Sequence, residues 1–286
     1  MKKPYLSFIA LISFMYLPVL AQTGLDSAQK ALKNKNWQEA KTLLEQAIEQ
    51  NEKNARAHYL LGQCLIALKE YDEAADAFEE AAELAPDSAL YHYRYGQALG
   101  MEAQNSGVLT QAWLAPKIKS AFERAVELDP TLMGARIALA NFYVMAPGFM
   151  GGDMDKARQQ AKALIRIGNF NGKIILARIY LKEEKNDSAL VLYNQMEKEI
   201  NDDPKYYNFY NTYGYLLLGQ KQYDKAIEKF KKQVELAPDK ANPYDSLGDA
   251  YRAAGRIEEA KAQYRKALQI DPQFESSRKK LEELQN

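Results

Sequence analysis

The stretch Ala241–Pro272, ANPYDSLGDAYRAAGRIEEAKAQYRKALQIDP, decides the fold. Tyr244, Leu247, Gly248 and Tyr251 fall on one face of a first helix, and Ala260, Tyr264 and Ala267 on one face of a second. Asp271-Pro272 then stops the unit, because proline has no N–H to continue a helix. The same pattern stands 34 residues earlier, in Tyr210, Tyr213, Gly214 and Leu217 followed by Ala226, Phe230 and Pro238. A helix pair repeated at that period cannot bury its apolar face alone, so neighbouring pairs must stack to make a core.

Working outward, His58, Leu61, Gly62 and Leu65 with Ala74, Phe78, Ala81 and Pro86 form an equally clear unit. Small residues at Gly62 and Ala74 let two antiparallel helices approach, and Leu61, Leu65 and Phe78 fill the space beside them. This spacing resembles the tetratricopeptide repeat. The resemblance covers nearly all of the chain after its first residues and implies an all-α, right-handed superhelical solenoid of about seven helix pairs. The units fall near 22–54, 55–88, 89–132, 133–169, 170–203, 206–240 and 241–274, with a capping helix at 274–285. The first unit is degenerate in its first helix (Gly24, Ser27, Ala28, Ala31), as suits an end repeat, and clear in its second (Ala40, Leu44, Ala47). No apolar–polar alternation is sustained anywhere, so a strand-based reading fails.

Two units depart from the rule. The third opens on His92, Tyr95, Gly96 and Leu99 but reaches Phe122, Ala125 and Pro130 ten residues late. The extra residues are predicted in the turn between its helices, with Asn105-Ser106-Gly107 as the turn signal and Pro116 in the first turn of the second helix. The fourth carries about five extra residues, Ala146-Pro147-Gly148-Phe149-Met150-Gly151-Gly152-Asp153, read as a structured turn with Asp153 capping the next helix.

Bulk chemistry excludes several functions. Among 286 residues Lys plus Arg and Asp plus Glu are 38 each, so no basic excess points to nucleic acid or an acidic membrane. One cysteine, Cys64, allows no internal disulfide, and two histidines, His58 and His92, hold the same phase of successive repeats, where packing accounts for them. The glycines at 148–152 lack the Gly-Lys-Ser/Thr ending of a phosphate loop, and Asp153 and Asp155 repel an anion there. No catalytic, metal or cofactor residues are predicted, and the protein is read as a non-enzyme.

At the start, Lys2 and Lys3 precede an apolar run from Tyr5 to Leu17, and Val19-Leu20-Ala21 offers small residues before a cut. This is the pattern of a signal peptide, residues 1–21, which leaves no membrane span after cleavage and predicts an exported, periplasmic or secreted protein, with an uncleaved N-terminal anchor as the alternative.

Two candidate surfaces follow. The resemblance implies a concave groove lined by positions 2, 5, 9 and 12 of each first helix, here Arg56, Tyr59, Gln63, Tyr93, Gln97, Asn141, Arg178, Asn208, Asn211, Tyr215, Asn242, Asp245, Asp249 and Arg252. Amides pair with a peptide backbone by donating and accepting at once, and tyrosines give contact area with few rotamers to freeze. The chaperone-binding subclass grips a carboxylate with Lys or Arg at position 5 and Asn at position 9, and Tyr59 and Gln63 stand there instead. The second surface is an edge where the two insertions meet, gathering Leu109, Trp113, Leu114, Met145, Phe149 and Met150. Those residues either bind a partner or merely cover one another. The expected function is a protein- or peptide-binding adaptor or scaffold of the bacterial cell envelope. The alternative is a ligand-handling or accessory subunit of an envelope enzyme or transporter, using the inserted loops of units three and four.

Overall fold

The computed structural model describes residues 24–284. The segment read as a signal peptide lies outside the described residues, as does the last residue of the predicted cap. Fifteen α-helices and no strand occur among the described residues, and no helix among them is long and apolar enough to cross a membrane. Seven hairpins follow in order: α1 (24–33) with α2 (Trp37–Gln50), α3 (Ala55–Leu68) with α4 (Tyr71–Leu84), α5 (Ala89–Gln104) with α6 (Val108–Leu128), and α7 (Met133–Met145) with α8 (Met154–Arg166). Then come α9 (Phe170–Lys182) with α10 (Asn186–Glu197), α11 (Tyr207–Gly219) with α12 (Tyr223–Leu236), α13 (Ala241–Ala253) with α14 (Ile257–Ile270), and a last helix, α15 (Glu275–Glu283). Residues up to Ile175 form one compact unit and residues from Leu176 a second.

Two hairpins in each unit close on the same contact. A Cβ added at Gly62 would lie 2.8 Å from the Phe78 ring, and one at Gly96 would lie 2.7 Å from Phe122. In the second unit Gly214 meets Phe230 and Gly248 meets Tyr264, each at 2.5 Å. The rings are buried, so the first helix needs a bare backbone where the second presents its largest side chain.

In the five hairpins without an insertion the turn carries a left-handed residue, and only one of those five turns uses glycine for it. Lys35, Lys69, Glu184 and Lys221 take φ near +60°, and Gly255 takes +75°. Nothing in the lysine or glutamate side chains announces this conformation.

A second recurrent device joins one hairpin to the next. The fourth residue of a first helix bonds the carbonyl six residues back, in the connecting loop: His58 Nε2 to Glu52 O (2.9 Å), His92 Nε2 to Pro86 O (3.0 Å), Arg136 Nη2 to Pro130 O (2.9 Å) and Tyr244 Oη to Pro238 O (3.2 Å). Arg278 does the same to Pro272 O. Both histidines are therefore structural, though as polar staples rather than as rings in a core.

The third hairpin corrects the sequence reading. Residues 108–128 form one continuous helix of 21 residues, with Pro116 inside it rather than in its first turn. The ten extra residues lengthen α6 instead of swelling the turn. Leu114, Ala115, Ile118 and Ala121 are buried, while Pro116 is exposed. Packing of that apolar face outweighs the hydrogen bond that Pro116 removes from the Ala112 carbonyl.

Candidate functional site

The two departures from the repeat build the walls of one cleft in the first unit. Helix α7 ends at Met145, and the chain turns through Pro147, a 3₁₀ turn at Gly148–Met150, and Gly151 (φ +96°). At Gly152 the backbone passes so close to Ala146 that a Cβ would sit 1.8 Å from its carbonyl oxygen. The Gly152 N–H donates to Pro147 O (3.1 Å), and the Asp153 N–H donates to Tyr143 O (3.0 Å). Asp153 Oδ1 then accepts from the N–H groups of Asp155 (3.0 Å) and Lys156 (2.9 Å), capping α8 as its sequence predicts. The loop is thus fixed at both ends, with Phe149 directed outward, 83% exposed, and Met150 half-buried.

Between this loop, α5, the added first turns of α6 and α7 lies a cavity of about 550 Å³. Helix α5 contributes Gln97, Gly100, Met101 and Gln104, α6 contributes Gln111, Ala115 and Ile118, and α7 contributes Asn141, Phe142 and Met145, with Met150 closing the end. Its lining is apolar with several amides, the composition of a site that seats an apolar group and orients it by hydrogen bonds. At the far end of α5, burial pushes the Glu102 carboxyl above its ordinary value of 4.5, aided by the nearby charges of Asp72 and Asp76 and opposed by Lys117.

The cleft combines parts of the two surfaces expected from sequence. Gln97 and Asn141 come from the groove, and Met145 and Met150 from the edge. The remaining edge residues are not gathered there. Leu114 is core, 1% exposed. Leu109 and Trp113 are exposed on the outer side of α6, since at 100° per residue they stand opposite Gln111, Ala115 and Ile118. Trp113 carries Lys117 Nζ 4.7 Å from its ring centroid. The edge expected as one ridge is therefore divided by the helix that its insertion forms.

Of the other groove positions in the first unit, Gln63 donates to Tyr59 Oη and Gln97 to Tyr93 Oη, both at 2.8 Å and both within one helix. Tyr59 stacks on Tyr91, with ring centroids 4.9 Å apart. Arg56 is exposed beside Gln29, whose amide oxygen accepts from it when turned to do so.

In the second unit most groove positions are satisfied within the fold. Ser246 Oγ donates to Asn211 Oδ1 (3.0 Å), Tyr215 Oη donates to Asp249 Oδ2 (2.9 Å), and Gln233 Nε2 donates to Asn242 Oδ1 (3.3 Å). Burial pushes the Tyr215 phenol well above its ordinary range. Asp245 is only 4% exposed and accepts from Ser276, Ser277 and Lys280 of α15, while Lys280 also pairs with Asp249 and Glu283 with Arg252. Asp245, Asp249 and Arg252 thus hold the last helix rather than line an open surface. Sequence spacing predicts a capping helix here but not its attachment, a buried charge network whose partners lie about thirty residues apart. Asn208 is exposed and Arg178 half-buried.

The tetratricopeptide repeat family matches twice, at residues 31–99 and 206–273. The human protein O-mannosyl-transferase TMTC1 is 28% identical over 154 residues, 53% of this chain. PYG7, a chloroplastic tetratricopeptide repeat domain-containing protein of Arabidopsis thaliana, is 22% identical over 174 residues, 59% of this chain. The matched regions span only 17% and 58% of those two proteins. Among solved structures, a tetratricopeptide repeat protein from Parabacteroides merdae superposes with a TM-score of 0.67 at 14% identity, covering 93% of this chain and 99% of that one. The C-terminal part of a repeat protein from Cytophaga hutchinsonii gives 0.63 at 17%, covering 89% and 98%. At such identities these structures speak for the fold alone. Proteins of this fold act as protein-interaction scaffolds and are typically non-catalytic. With the repeated Gly–aromatic contact, seven hairpins and both family matches in place, the chain is a tetratricopeptide repeat protein.

Proposed function

We propose that this protein is a non-enzymatic scaffold of the bacterial cell envelope that holds a partner peptide in the cleft between α5, α6 and α7. One observation carries the reading: the residues in which units three and four depart from the repeat rule close off, against the repeat helices α5 and α7, a single apolar cavity lined with amides. The basic start, apolar run and Val19-Leu20-Ala21 ending support export. A cavity of this size also suits a small molecule, which supports the second reading, an accessory subunit of an envelope enzyme or transporter.

A photo-crosslinking residue placed at Met145 tests the site, with Val191, an exposed apolar position of the second unit, as the control. A discrete protein adduct from position 145 and none from 191 is expected. Equal labelling at both positions, or none at 145, refutes the cleft. Intact mass of the protein from an envelope fraction should correspond to a chain beginning at Gln22. Recovery of full-length protein from the cytoplasm would overturn the export reading.

A further inference from the structure

The cleft continues into a second hollow that holds an arginine with unmet hydrogen-bonding capacity. This hollow, about 240 Å³, lies between α3 and α5 beside Gln63, Phe78 and Arg94, and it shares Gln97 and Met101 with the larger cavity. Arg94 is half-buried. Its Nη1 donates to Gln97 Oε1 at 2.9 Å, and its guanidinium carbon lies 5.6 Å from the Tyr93 ring centroid. Its Nε is buried and has no partner. No carboxylate among the described residues pairs with it. Comparably buried cations elsewhere are treated differently: Lys41 sits on Glu70, Lys229 on Glu197, and Lys280 on Asp245.

A donor taken from water without a replacement is unfavourable, and a carboxylate matches the planar fork of a guanidinium with two parallel bonds. We propose that the trough selects an extended acidic segment, placing an Asp or Glu carboxylate of the partner on Arg94 and a large apolar side chain against Phe142, Met145 and Met150. This rests on the reading of the cleft as a peptide site. The two contacts are complementary in kind. The methionines adapt to the shape of an apolar anchor and tolerate several, while Arg94 supplies the charge selection that a flexible apolar pocket lacks. Gln63 and Gln97, each held by a tyrosine hydroxyl of its own helix, stand beside the path to meet the backbone.

The test pans the purified chain against a phage-displayed library of random decapeptides, in parallel with Arg94→Gln, Arg94→Lys and Met150→Lys. Circular dichroism of each variant verifies that it folds. The wild-type chain should enrich peptides that combine Asp or Glu with Leu, Met or Phe. Arg94→Gln should keep the apolar preference and lose the acidic one. For a single enriched peptide resynthesised with a fluorophore, it should weaken binding by about tenfold or more. Arg94→Lys should retain part of the acidic preference, and Met150→Lys should abolish enrichment. Apolar peptides enriched with no acidic preference, or the same preference in Arg94→Gln, would overturn the charge selection and leave the peptide site standing. Enrichment unaffected by Met150→Lys would remove the cleft itself. Unfolding of Arg94→Gln would pass the decision to Arg94→Lys and to the acidic preference of the wild-type chain, whose absence overturns the proposal.

Discussion

At the scale of single residues, the hairpin contact makes opposite predictions for glycines of one type. Gly62→Ala drives a Cβ to 2.8 Å from a buried Phe78 ring and should lower stability by about 1–3 kcal/mol. Gly100, inside α5, has nothing within 4 Å of the same added atom, so Gly100→Ala should raise stability by about 0.5–1 kcal/mol. Thermal melts of the two variants against wild type measure both, and a loss in each would show that the contact is not what distinguishes them. Glu102 carries a sign that can be worked out in advance. Burial raises its folded-state value above 4.5, so the ionised form destabilises the fold, and its contribution is favourable only below the unfolded value and is lost as pH rises through the folded one. Glu102→Gln should therefore raise Tm at pH 7, with the advantage shrinking as pH falls toward 4. An advantage that grows in acid would contradict the burial argument. The repeat residues themselves were plain in the sequence, since a bare glycine opposite an aromatic ring has few other uses at that spacing. The left-handed turn residues were hidden, because Lys69 or Lys221 reveals nothing of its φ.

At the scale of elements, α15 and α6 show where sequence reading succeeds and where it stops. The existence of a last helix was legible from Phe274, Leu281 and Leu284 among charges, but its attachment was not. Lys280 bridges Asp245 and Asp249 at 2.8 and 2.6 Å, with Asp245 almost fully buried. Partners so distant in sequence leave no periodic trace. Lys280→Met leaves that carboxylate with only the hydroxyls of Ser276 and Ser277 and should destabilise the last hairpin by about 3 kcal/mol, with Asp245→Asn restoring part of the loss. Hydrogen exchange in α13 to α15 reads the effect locally, and unchanged protection there would refute the lock. Helix α6 was misread because Asn105-Ser106-Gly107 and Pro116 are both strong local signals, and only the burial of Leu114, Ala115 and Ile118 shows that the chain is helical between them. Pro116→Ala restores a donor to the Ala112 carbonyl and should stabilise the protein by about 1–3 kcal/mol. A lower Tm would mean that the ring itself packs.

At the scale of the molecule, the class of architecture was legible and the site only partly so. Periodicity fixes which residues turn inward, and it flags units three and four as exceptions. It cannot tell which side of an added helix faces a cavity, so Trp113 and Met150 looked equivalent. In a repeat array each hairpin leans on its sequence neighbours, and cooperativity over the whole length is not assured. The two tryptophans, Trp37 and Trp113, both belong to the first compact unit, whereas far-ultraviolet circular dichroism reports every helix. Urea titrations followed by the two signals should therefore give different midpoints. Coincident curves would establish a single transition. The staples between hairpins have a bearing on how such a protein changes over generations. From His58 to His92 the interval is 34 residues, and from His92 to Arg136 it is 44, yet the same bond closes each joint. Length added inside a hairpin is thus insulated from the junctions on either side. The added first turns of α6, residues 108–116, and the loop 147–152 are accordingly exchangeable cassettes, through which recognition can be rewritten while the frame that carries it stays in phase.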